Sequence, residues 1–221
     1  MNILKRWTPF NEIDDKIKPK IDNTNNIMLI VALNISILLL SISLISAVII
    51  STSLKNIIIY LIGLIISIIL LSISIYVLKY PNKFYFNIIN LLVQFTFMLL
   101  FLYSIILGTY ITPNQPAVAF MVFLVFIPSM FIEKAKIIVI SIFGYISLFI
   151  ISCILYKDDS IIRIDILNAI LYGFLGIISS IIFTKIKVQN FTLEYQVLTN
   201  SRCDLLTKIN NRNAFELDLT D

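Results

Sequence analysis

Six hydrophobic runs, each about as long as a bilayer is thick, constrain this 221-residue chain more than any other feature. A helix needs roughly 20 apolar residues to cross a hydrocarbon core of about 30 Å. Charged residues make up 14% of the chain, against about 25% in a soluble domain. The sequence therefore predicts an all-α membrane protein. The predicted spans are 27–50, 57–78, 84–107, 117–132, 135–156 and 166–184.

The fourth run is the weakest of the six. Residues 117–132 would reach only about 24 Å as a straight helix, and Pro128 lies near the end of the run. If this run did not cross, the basic C-terminal tail would lie on the outer side of the membrane. That placement opposes the bias of lysine and arginine toward the cytoplasm, so six spans are retained.

Lysine and arginine residues predict the orientation. With the N-terminus inside, 14 of the 17 lie in inner segments, and only Lys55, Lys157 and Arg163 lie in outer loops. Such residues are enriched in cytoplasmic loops. We therefore expect a plasma-membrane protein, surrounded by lipid, with both termini in the cytoplasm. Residues 1–26 are interpreted as a cytoplasmic leader, either resting on the membrane surface or disordered.

Polar side chains within the predicted spans form one small group. Asn87, Asn90 and Gln94 share a face of the third span because they are three and four residues apart. Asn168 lies near the outer end of the sixth. These four either form an intramembrane polar pocket or join helices, and packing is the favoured interpretation. No charged residue lies deep in a predicted span, which argues against ion-coupled transport.

A stripe of small residues lies along one face of the sixth span. Its members are Ala169, Gly173, Gly176 and Ser180. Small residues at spacings of three and four let two helices approach closely. The stripe predicts either a dimer face on the last span or close packing within one bundle.

The rarity of certain side chains excludes several classes of site. The chain has no histidine, which excludes a phosphoacceptor histidine and histidine-ligated haem or zinc. Its two cysteines, Cys153 and Cys203, are predicted on opposite sides of the membrane, so no disulfide is expected. No metal site, phosphate-binding glycine loop, catalytic triad or nucleic-acid motif is recognised.

A polar, periodic segment at 185–203 follows the last span. Apolar residues and one arginine alternate there by three and four. These positions are Val188, Phe191, Tyr195, Leu198, Arg202 and Leu205. The spacing is typical of a coiled-coil seam on a helix that continues out of the membrane. The alternative is a single amphipathic helix lying on a neighbouring domain.

The segment after this stalk resembles the opening motif of GGDEF domains, the catalytic domains of diguanylate cyclases. The family pattern is Asp-x-Leu-Thr-x-Leu-x-Asn-Arg, then a small residue and an aromatic. The matching residues are Asp204, Leu206, Thr207, Asn211 and Arg212, with Phe215 at the aromatic position. Ile209 stands where leucine is usual, and Lys208 where glycine is common. The resemblance implies a turn braced by Asp204 and Arg212, outside the reaction centre.

The resemblance covers residues 204–216, and the Gly-Gly-Asp-Glu-Phe signature is absent from these 221 residues. Residues 204–221 are expected to begin an α/β GGDEF domain, and the 221-residue chain is expected to lack catalysis. The resemblance implies a membrane sensor for an enzyme that condenses two GTP molecules into cyclic di-GMP with Mg²⁺. It also implies a homodimer through the last span and stalk.

Two other functions are weighed. One is a small multi-pass transport component whose tail matches the family by accident. The other is a truncated regulatory paralogue that dimerises with full-length cyclases. The signal that is sensed stays open, as does whether the chain is a fragment or a short protein.

Overall fold

The computed structural model describes residues 17–50, 52–80 and 85–202, with side chains within 17–50, 52–80 and 88–197. These residues form helices joined by short connections, and they contain no strand. The helices are α1 Lys18–Ile49, α2 Leu54–Lys79, α3 Tyr85–Ile106, α4 Val118–Met130, α5 Ala135–Tyr156 and α6 Asp159–Arg202. A π-helical turn, Leu107–Ile111, ends α3.

The helices confirm the multi-pass transmembrane character that hydropathy predicts. Five of those described are long and apolar enough to cross a membrane, and α4 is a shorter apolar helix. Apolar side chains such as Leu39, Ile140 and Leu175 point out of the bundle. Such an exterior suits surrounding lipid, because a soluble protein rarely exposes large continuous apolar patches.

Two helices extend beyond the predicted spans. The first helix begins at Lys18 rather than at residue 27, so part of the predicted leader is helical. The last helix begins at Asp159 rather than at residue 166 and runs unbroken to Arg202. Hydropathy ends a span at its first charged residues, but both helices continue through them: Asp22 and Asp165 are buried against other helices, whereas Lys18 and Asp159 are exposed.

Successive helices run in opposite directions, so each helix connects the same two ends of the bundle. We call the end where α1 begins and α6 leaves the terminal face, and the opposite end the distal face. The helix α1 packs most extensively on α2, while α6 packs on α4 and α5. The helix α3 contacts α1, α2, α4 and α5 and therefore lies at the centre.

Aromatic rings fill the core between α3, α4 and α5. The Phe101 ring stacks on Tyr145 with centroids 4.3 Å apart, and the Phe120 ring stacks on Phe149 at 4.1 Å. Phe101 and Phe120 meet edge to face at 6.2 Å, joining the two stacks. Aromatic pairs in these geometries contribute beyond the area they bury. This cluster holds the central helices in register.

Candidate functional site

The parallel helices α4 and α6 are joined along their length, and the first contact lies at the distal face. Both carboxylate oxygens of Asp165 accept the backbone N–H of Ala117, at 3.3 Å. Ala117 immediately precedes α4. The start of a helix carries unpaired N–H groups and a partial positive charge, so a carboxylate stabilises it. Asp165 on α6 thereby caps α4.

Midway along the pair, the two backbones touch at Gly176. Pro128 has no N–H, so the carbonyl of Leu124 loses its partner within α4. A Cβ added at Gly176 would overlap the oxygen of that carbonyl and lie 2.9 Å from its carbon. Only glycine lets α6 approach α4 this closely. The proline and the glycine therefore form one complementary contact.

Polar side chains of α6 also cap the other end of α4, at the terminal face. Ser180 donates to the carbonyl of Pro128 at 2.8 Å, and Lys187 donates to the carbonyl of Met130 at 2.8 Å. The last carbonyls of a helix have no partner within it, and a cation is favourable there. The helix α4 has 13 residues, or about 20 Å. Satisfied ends allow so short a helix to lie at membrane depth.

The small-residue stripe is thus covered within the chain. Ala169 and Ser180 are fully buried. Gly176, a residue of α6, packs against the backbone of α4. A Cβ added at Gly173 would collide with the side chain of Ile146 on α5. Packing within one bundle, the second of the two predicted alternatives, accounts for the stripe. In this structure it does not form an open face for a dimer.

A buried ion pair lies at the distal face. The amine of Lys157 contacts the carboxylate of Asp165, and their side chains are 0% and 1% exposed. Lys157 also donates to the backbone carbonyl of Gln115. From the sequence, both charges were predicted to lie in an outer loop, but no pairing between them was predicted. The sequence feature that could have indicated this pair is the opposite charge of Lys157 and Asp165, which lie on either side of the short α5–α6 turn.

Of the four polar residues considered for a pocket or for helix packing, the three whose side chains are described lie apart. Asn168 lines a cavity of about 120 Å³ with Asp165 and Tyr172 at the distal face. Gln94 lies toward the terminal face, beside Glu133. The Asn90 side chain is exposed, and that of Asn87 lies outside the described residues. The structure therefore does not bring Gln94, Asn90 and Asn168 together, and packing between helices stays the favoured interpretation.

A different polar cluster occurs at the terminal face, where the α4–α5 loop meets α1. The Asn25 amide donates to the carbonyl of Ile132 at 3.0 Å and accepts the Ile132 N–H at 2.8 Å. These bonds satisfy a buried peptide group just past the end of α4. Sequence reasoning missed Asn25, because its partner lies 107 residues away.

Glu133 follows Ile132 in this cluster. Burial raises the pKa of the Glu133 carboxyl above its ordinary value of 4.5. The nearby Gln94 amide and Lys134 oppose the rise, while the negative charge of Asp22 adds to it. The charge of this loop therefore depends on pH.

The C-terminal part of α6 packs against the first turns of α1. Ile17, Ile21, Ile132 and Val188 form a buried apolar cluster, and Phe191 and Tyr195 pack against it. We call this cluster the α6 joint.

An ion pair reinforces the α6 joint. Lys20 pairs with Glu194 and lies 5.0 Å above the ring of Phe191. Three predicted seam positions, Val188, Phe191 and Tyr195, thus pack within the chain. The Leu198 side chain, Leu205 and the motif at 204–215 lie outside the described residues, so the coiled coil and the GGDEF opening stay predictions.

The fold and these contacts define a multi-pass helical membrane protein whose last helix is anchored at both faces of the bundle. Among the described residues, no group of three or more Asp, Glu or Cys side chains is placed to hold a metal ion. Comparison of the chain with protein-family models, curated proteins and solved structures finds no match.

Proposed function

We propose that the chain is the membrane sensor and anchor of a diguanylate cyclase, in which α6 carries a signal from the bundle to a GGDEF domain beginning at Asp204. One observation supports this most. The helix α6 runs without a break from Asp159 at the distal face to Arg202, two residues before the motif. A single rigid helix is a suitable element for transmitting a small shift or rotation.

The contacts of α6 favour movement of α4 and α6 as one unit. Asp165, Gly176, Ser180 and Lys187 all meet α4 or its flanking residues. A displacement at the distal ion pair would therefore reach the terminal face through both helices. The α6 joint would then set the direction in which the stalk leaves the bundle.

Pairing of two stalks would compete with the α6 joint. Val188 is buried and Phe191 is partly buried against the start of α1, so Val188 cannot also contact a second α6. We propose that one state keeps this contact and that another releases it for the coiled coil. By resemblance, the complete enzyme binds one GTP per protomer and uses Mg²⁺, so the alignment of two protomers would control synthesis of cyclic di-GMP.

Measuring cyclic di-GMP in cells that express the complete natural gene tests this function. Val188→Asp should change cyclic di-GMP severalfold, because a carboxylate would break the α6 joint. Val197→Asp is the matched control, since the Val197 side chain is exposed on the same helix. Equal output from both variants, at equal protein level, would count against coupling through α6.

The DNA downstream of codon 221 provides a second test. A continuing frame that encodes the GGDEF signature and the downstream metal-binding aspartate would support the cyclase. A stop codon there would favour the truncated regulatory paralogue instead.

A further inference from the structure

A cavity of about 310 Å³ lies between α1, α2 and α3, away from the contacts of α4 with α6. Its lining is almost entirely apolar and includes Leu33, Ile62, Leu70 and Leu99. Among the described residues, no charged side chain lines it. Small-molecule pockets begin at about 300 Å³, so the space suits a ring-sized ligand.

Two hydroxyl groups in this lining have no hydrogen-bond partner among the described residues. The Thr96 oxygen and the Tyr103 oxygen are both buried and unpaired. An unpaired polar group in an apolar interior costs free energy, so it normally finds a partner.

Many other hydroxyls in the bundle bond to their own helix, although among the described residues the buried hydroxyls of Ser74 and Thr184, outside this cavity, are also unpaired. Ser67, in the same cavity, donates to the carbonyl four residues earlier, and so do Ser41, Ser72 and Thr109. Thr96 sits midway along α3, yet it makes no such bond. Its hydroxyl and that of Tyr103 are therefore free to donate to a bound molecule.

The placement of the two donors suits one ligand. Thr96 and Tyr103 are seven residues apart and share a face of α3. Gly63 on α2 leaves room for the Tyr103 ring, because a Cβ there would lie 2.9 Å from that ring.

We propose that this cavity binds a neutral, lipid-soluble carbonyl compound whose oxygen accepts a hydrogen bond from Thr96, Tyr103 or both. The ligand is neutral because the lining carries no charge to offset one. It is lipid-soluble because the cavity lies halfway along three membrane helices. A plain acyl chain would fill the space but leave both hydroxyls unpaired. The proposal does not depend on the identity of the domain beyond the stalk.

Equilibrium binding to the full chain, in nanodiscs of saturated phosphatidylcholine, tests the proposal. The probes are decylbenzoquinone and decylbenzene, which have the same tail and a six-membered carbon ring of similar size, and of which only the quinone carries carbonyl oxygens. The quinone should bind saturably, at one site per chain, and more tightly than decylbenzene. Thr96→Val and Tyr103→Phe should each weaken quinone binding about threefold to tenfold and leave decylbenzene unchanged.

Two variants control for general effects of removing a hydroxyl. Thr109→Val and Tyr76→Phe make the same changes outside the cavity lining and should bind the quinone as the unaltered chain does. Thermal unfolding midpoints show which cavity variants remain folded, and Tyr103→Phe keeps the ring and its packing. Equal affinity for the two probes would overturn the proposal, since apolar filling alone would explain it. Absence of saturable quinone binding, or cavity variants that match their controls, would also overturn it.

Discussion

Gly176 is the residue on which the approach of α6 to α4 depends most. Gly176→Ala would push a methyl group into the backbone of Leu124, and overpacking of this kind costs about 1–3 kcal/mol. We expect a loss of that size in the free energy of unfolding, measured by denaturing-detergent titration in micelles.

Gly144→Ala is the matched control for this substitution. A Cβ at Gly144 meets nothing within 4 Å, so the variant should keep its stability or gain up to about 1 kcal/mol from helix propensity. Equal stability of Gly176→Ala and the unaltered chain would contradict the proposed close contact.

Lys157 and Asp165 should be strongly coupled, because neither charge is exposed. Lys157→Met leaves a buried carboxylate without its cation, a change that costs about 3–5 kcal/mol. Adding Asp165→Asn removes that charge and retains an oxygen that can accept the Ala117 N–H. The double variant should therefore lose about 0.5–3 kcal/mol less than the sum of the single losses.

A double-mutant cycle on unfolding free energies measures this coupling. Strict additivity of the two single losses would mean that Lys157 and Asp165 are not energetically coupled, which would contradict the buried ion pair.

Individual contacts were the least predictable part of the molecule. Hydropathy found the spans because roughly 20 neighbouring apolar residues carry that signal locally. The partners of Asn25 and Lys187 lie 107 and 57 residues away, and no local pattern encodes them. The stripe through Gly176 was recognised, but the sequence could not decide between a second copy and α4 as its partner.

Among the elements, the α4–α5 loop is one whose stability should respond to pH. The folded state holds a proton on Glu133 that the unfolded chain releases near its ordinary pKa of 4.5. Stability should therefore fall as pH rises from about 4.5 toward the raised pKa of the folded state. Glu133→Gln cannot ionise, so its stability should fall less over this range.

Unfolding free energies collected between about pH 4 and pH 8 check this expectation. If the curves of unfolding free energy against pH are parallel for the unaltered chain and Glu133→Gln, ionisation of Glu133 is not coupled to folding.

Helix ends were harder to predict than helix centres. The start of α1 carries Lys18, Lys20 and Asp22, so it was interpreted as part of a polar leader. Packing of Ile17 and Ile21 on Val188 explains why that segment is helical. Packing also explains why α6 begins at Asp159, before the predicted span, because Asp165 is buried against the start of α4.

The molecule as a whole is a bundle whose last helix is held at two faces. At the distal face, Asp165 joins α6 to Lys157 and to the start of α4. At the terminal face, the α6 joint holds the stalk against α1. The proposed role in signalling requires these faces to lie on opposite sides of a membrane, with the tail in the cytoplasm.

Cysteine labelling with a membrane-impermeant maleimide tests that arrangement most directly. One variant carries Asn114→Cys in the exposed distal loop with both native cysteines replaced by alanine, and the other keeps only Cys203. The account predicts that position 114 is labelled in intact cells and that Cys203 is labelled only after permeabilisation. Labelling of Cys203 in intact cells would contradict it.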